Sequence, residues 1–210
     1  MLGIHDYWAF VLTGILLNLT PGQDTFFILG RSLAGGPRVG VAAALGITAG
    51  SILHTLLAAL GLSALLATSS IAFAVVKWLG AAYLLYLGVR LLLEPAREIA
   101  EPAGPASHAS TGAAFRQGML TNLLNPKVAL FFLALMPQFI AAESPHKVLA
   151  FLALGATFVT TGTVWCLCLA LASGQLRRAL LSRPALGRVF SRVAGGLFIA
   201  LSVRLALARR

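Results

Sequence analysis

Residues 39–76 read VGVAAALGITAGSILHTLLAALGLSALLATSSIAFAVV, 38 residues in which His54 is the only ionisable group. One Lys, Arg or Asp at mid-bilayer costs about 2.5 to 3.5 kcal/mol on the insertion scale, so charge-free runs of this kind mark membrane spans. A span needs roughly 20 apolar residues. The run is therefore two helices, and Thr68-Ser69-Ser70 is the natural place to turn. It divides into a helix from Val39 to Ala67 and another from Ile71 to Leu93, with Lys77 at the start of the second and Arg90 snorkelling at its end.

The rest of the chain has the same character. Of its 210 residues 59% are hydrophobic and 10% charged, and the mean hydropathy is +0.89. A soluble domain carries about 25% charged residues, so a water-soluble globule and a disordered chain are both excluded. At roughly 20 residues per span the length holds about six helices with short loops. The first span is Tyr7 to Gly30, with a polar interruption at Thr20-Pro21-Gly22-Gln23-Asp24. Glu94 to Ala114 contains Pro95, Pro102 and Pro105 and reads as a polar loop. The fourth span, Phe115 to Ile140, is interrupted by Asn125-Pro126-Lys127, and the fifth is Val148 to Gln175. The sixth, Leu186 to Leu207, is crowded by Arg188, Arg192 and Arg204.

The net charge of +10 would suggest nucleic acid in a soluble protein. Here the basic residues flank apolar runs and read as topology signals, with no nucleic acid among the expected partners. Loops one, three and five hold Arg31, Arg38, Arg90, Arg97, Arg116, Arg177, Arg178, Arg183, Arg188 and Arg192. Lys77, Lys147, Arg204, Arg209 and Arg210 lie on the other side. The positive-inside rule then makes the odd loops cytoplasmic and puts both termini outside. Met1 to Trp8 lacks a basic segment, so no cleavable signal peptide is expected.

Offsetting the chain against itself by 105 residues superposes Ala9-Phe10 on Ala114-Phe115, Pro21 on Pro126, Phe26-Phe27 on Phe131-Phe132, and Gly50 on Gly155. At an offset of 114, Val89-Arg90-Leu91 meets Val203-Arg204-Leu205. The expected fold is an all-α polytopic membrane protein, one transporter domain over 1–210. It has a three-helix repeat in 1–93, a cytoplasmic loop in 94–114 and a second repeat in 115–210. Three helices per half force the halves into opposite orientations, the inverted-repeat plan of secondary transporters.

Proline removes a backbone donor and clashes with the preceding turn, so helices one and four should break at Pro21-Gly22 and Asn125-Pro126. Unwound backbone at membrane depth is tolerated where it is buried or lines a cavity, which makes the paired breaks the expected substrate site. Asp24 and Lys127 stand beside them with opposite signs. Either they are interfacial residues without function, or they face each other or a zwitterion, Asp24 towards an ammonium and Lys127 towards a carboxylate. Asn18, Asn122 and Thr160, which shares a helix face with Thr157 and Thr161, are secondary candidates. Ala42, Gly46, Gly50 and His54 recur every four residues and form a stripe that another helix can approach closely. His54 on that stripe is a hydrogen-bonded structural residue or a proton relay. Gly80, Leu84 and Gly88 read as helix packing, and such glycine stripes also suit a homodimer. Cys166 and Cys168 point away from each other on their helix. No catalytic, cofactor or metal constellation is evident, so an enzyme is not expected.

At these same residues the chain resembles the lysine exporter (LysE/RhtB-type) family of amino-acid efflux permeases. The resemblance runs through Pro21-Gly22-Gln23-Asp24, Gly35-Gly36 with Arg38 and Gly40, and Gly46 and Gly50. It continues in Gly80-Ala81-Ala82-Tyr83-Leu84 with Tyr86-Leu87-Gly88 and in Asn125-Pro126-Lys127, Phe131-Phe132 and Pro137-Gln138-Phe139. Gln23 stands where the family usually has a second proline, a departure that softens the first break. The resemblance implies proton-driven export of amino acids or close derivatives across the bacterial cytoplasmic membrane, with Asp24, Asn125, Pro126 and Lys127 as site residues. A metal-cation exporter of the same superfamily and a non-transporting thiol relay through Cys166 and Cys168 are the alternatives.

Overall fold

The computed structural model describes residues 2–62, 70–93, 110–141 and 143–173, together with 192, 193, 195, 196, 198–200, 202, 203, 206 and 207. Helix α1, Tyr7–Leu19, stops at Thr20, whose extended backbone (φ −64°, ψ 118°) is what a residue before proline must adopt. Helix α2, Gln23–Leu57, starts three residues later, so the first break forms at the expected place although Gln23 replaces the second proline. The first span was expected to end at Gly30, with a loop before Val39. Instead α2 is helical on both sides of Gly36, which alone turns the chain (φ 80°, ψ 177°) in a conformation open to glycine, and Pro37 follows as a first-turn residue. Arg31 is consequently a helical residue; its guanidinium donates to Gln117 Oε1 and lies 5.3 Å from the Phe27 ring centre.

A π-helical turn, Ala58–Leu62, extends α2, and α3 covers Ser70–Leu93. The expected turn at Thr68-Ser69 and most of the 94–114 loop lie outside the described residues. That loop ends earlier than expected: Ser110 Oγ accepts from Ala113 N (3.2 Å) and caps α4, Thr111–Leu123. After Leu124-Asn125 the helix resumes as α5, Pro126–Leu130, continuing as a π turn, Phe131–Leu135, and a 3-10 turn, Met136–Phe139. The two pieces are bent by 47° at the second predicted break. Helix α6 is Lys147–Leu171, and the described residues between 192 and 207 are helical.

Two described helical stretches, Gln23–Leu62 and Lys147–Leu171, are long and apolar enough to cross a membrane, and the bent pair makes a third if counted as one span. Trp8, Leu57, Leu60, Trp78 and Leu79 are exposed, an apolar exterior that suits lipid rather than water.

Small residues decide how the helices meet. A Cβ at Gly50 would stand 2.8 Å from Asn122 Cβ and 3.0 Å from Met119 O, and one at Gly46 would collide with the backbone carbonyl of Phe115. Helices α2 and α4 therefore touch backbone to backbone. The stripe through Gly46 and Gly50 is occupied by this chain's own α4 and is not free for a second copy. Gly88 on α3 likewise meets Gly195 O, and Ser202 Oγ donates to Ala81 O (2.8 Å), joining the third helix to the last. The core beside the breaks is aromatic: Phe131 stacks on Phe158 at 4.4 Å and packs with Phe10 and Phe132. Residues before α1 are tied to the end of the bent helix pair, His5 N donating to Phe139 O and Ala141 N to Gly3 O.

Candidate functional site

The last carbonyls of a helix have no partner within it and carry partial negative charge. At the end of α1 they are met by Lys127, whose Nζ donates to Leu17 O (3.0 Å) and Thr20 O (2.9 Å). Gly22 leaves room for this: a Cβ there would lie 3.3 Å from Nζ. Lys127 reaches across because Asn125 sets the start of α5, its Oδ1 accepting from Lys127 N (3.0 Å). The second break thus holds the first together.

Asp24 sits in the first turn of α2, where helix N–H groups favour negative charge. Its Oδ2 accepts from Asn122 Nδ2 (2.8 Å), and the Asn122 Oδ1 accepts from Ser51 Oγ (3.2 Å). Asn122 is 1% exposed and belongs to the turn before the second break, so this bond, like those of Lys127, ties the segments at the two breaks together. Asp24 and Lys127 form no ion pair with each other. The Oδ1 of Asp24 is buried without a partner, as are Asn18 Nδ2 and Trp165 Nε1. Such groups cost about 1–3 kcal/mol each unless something satisfies them.

Asn18, Asp24, Ser51, Asn122 and Lys127 line one cavity of about 30 Å³ between α1, α2, α4, α5 and α6. Ile47, Phe158 and Leu169 form its apolar wall. The volume takes about two water molecules, so a molecule the size of an amino acid enters only when the helices part.

Of the residues singled out from sequence, Asn18, Asp24, Asn122 and Lys127 meet at this cavity. Pro21 and Pro126 are exposed and act through the backbone; Gly22 and Asn125 position Lys127. His54 stands just outside, its Nε2 3.3 Å from Asn122 O and its ring stacked on Phe132 at 5.6 Å, a packed and hydrogen-bonded histidine. Thr160 is exposed and does not line the cavity, standing about 160° round α6 from the cavity-lining Gly162. Thr157 and Thr161 donate to their own helix backbone. Cys166 lines the cavity while Cys168 is exposed, and both are free thiols. Sequence reasoning missed Ser51, Gly162 and Trp165, which no local motif marks.

Apolar helices closing round a small polar cavity at two hydrogen-bonded helix breaks define a polytopic membrane protein. A family model described as LysE type translocator matches residues 15–209, and the chain belongs to that family. It is 31% identical over 208 residues to the leucine efflux protein of Salmonella typhimurium, with 97% of this chain and 96% of the relative covered. An uncharacterized membrane protein of Vibrio cholerae is 34% identical, with 98% of each chain covered, and one of Pseudomonas aeruginosa is 33% identical, with 99% and 97% covered. No solved structure gives a significant match.

Proposed function

We propose that this protein is a secondary transporter that exports a neutral aliphatic amino acid, leucine or a near relative, across the bacterial cytoplasmic membrane. The observation that carries the reading is Asp24: one oxygen is fixed by Asn122 and the other is buried and unpartnered in a residue lining the cavity between the breaks. A free carboxylate oxygen there suits a substrate ammonium, and the wall of Ile47, Phe158 and Leu169 suits an aliphatic side chain. The name of the Salmonella relative supports both the substrate class and the outward direction.

In this reading six helices form two inverted repeats, and rocking about the paired breaks opens the cavity to alternate sides. A proton gradient drives export, the odd loops are cytoplasmic, and both termini are outside. Among the described residues no group of three or more His, Cys, Asp or Glu side chains is placed to hold a metal ion, so no observation favours a metal cation as cargo.

The test is growth rescue against a toxic leucine analogue, combined with measurement of leucine leaving the cell and its dependence on an imposed pH gradient in proteoliposomes. Leucine retained at the rate of a transporter-free control would overturn the reading. Single cysteines at positions 69 and 182, introduced after Cys166 and Cys168 are replaced by Ser, test the orientation: external labelling at 182 contradicts it.

A further inference from the structure

We infer that Asn18 and Trp165 form the seat for the carboxylate of the transported molecule, while Lys127 holds the helix break. This rests on the amino-acid reading above and assigns the other end of the same site. Asp24, Asn18 and Trp165 line one cavity, and each has a buried polar atom without a partner: an acceptor on Asp24, donors on Asn18 and Trp165. A single molecule that satisfies all three must donate once and accept twice. An α-ammonium beside a carboxylate does so, the carboxylate's two oxygens matching the two donors.

Lys127 is the obvious rival for that carboxylate, but two of its three N–H groups are given to the carbonyls of Leu17 and Thr20. An indole N–H and an amide bind a carboxylate without a full counter-charge, which suits a site that must also release it. Gly162 positions the pair. It lies three residues before Trp165 on α6, and a Cβ there would stand 3.2 Å from Asn18 Nδ2 and 3.3 Å from Oδ1, so the bare backbone lets the Asn18 amide lie against α6 within one helical turn of Trp165 along the chain.

The experiment is radiolabelled leucine counterflow with the full-length protein in proteoliposomes, with 3-methylbutylamine, leucine without its carboxylate, as competitor. Trp165→Phe keeps a six-membered aromatic ring and removes the five-membered ring with its N–H, and the amine competitor separates the lost N–H from the lost bulk. The variant should raise the leucine KM about tenfold with kcat within twofold and leave the amine's inhibition constant unchanged. Asn18→Ala should do the same, and Gly162→Ala should do so to a smaller degree. A leucine KM within twofold of wild type in both Trp165→Phe and Asn18→Ala overturns the assignment, as does equal weakening of leucine and amine. If wild-type protein moves no leucine, the exporter reading falls and this assignment with it; wild-type transport with unaffected variants sinks the assignment alone.

Discussion

Asn122 Nδ2 donates to Asp24 Oδ2 over 2.8 Å, joining the turn before one helix break to the first turn after the other. The bond orients the carboxylate so that its second oxygen stays unpartnered. A hydrogen bond to a charged group is worth about 1.5–3 kcal/mol. Asn122→Ala should therefore cut leucine efflux at least tenfold while membrane abundance, read by immunoblot, stays near wild type. Unimpaired efflux would show that the orientation of Asp24 does not matter.

Asp24→Asn and Lys127→Ala should both abolish export, but for separable reasons. Lys127 satisfies two carbonyls at the end of α1, so its loss should also lower the thermal midpoint in detergent by several degrees. Asp24→Asn keeps shape and should leave that midpoint within about two degrees. Equal thermal losses in the two variants would contradict this division of labour.

The α2–α4 seam has no space for side chains at Gly46 and Gly50. Overpacking costs typically 1–3 kcal/mol, and more where the obstacle is backbone. Gly46→Val should leave mostly aggregated protein on size-exclusion chromatography. Gly61→Val, at a glycine with open space around it, should elute like wild type.

Thr160 is exposed and does not line the cavity, and His54 stacks on Phe132 with its Nε2 near Asn122 O. Thr160→Ala should transport within twofold of wild type. His54→Gln, which retains a hydrogen-bonding group towards Asn122 O, should keep the same pH profile of export; a flattened profile would restore the proton-relay role.

Membership of the membrane class, the position of both helix breaks and the small-residue stripe are legible one residue at a time. They follow from local chemistry: charge is excluded from lipid, proline cannot continue a helix, and glycine admits a neighbouring backbone. The one-residue turn at Gly36 was harder to read, because a Gly-Gly-Pro segment suits a loop as well as a kink.

Asp24 and Lys127 were visible because charge is rare here and both stand beside proline breaks. Which partners they take was not. That Lys127 grips the α1 carbonyls, that Asn122 holds Asp24, and that Trp165 and Gly162 arrive from α6 depend on distances between segments far apart in the chain. Spacing along one helix says which side chains share a face, and the approach of a second helix, set between α2 and α4 by Gly46, Gly50 and Gly118, decides what that face meets.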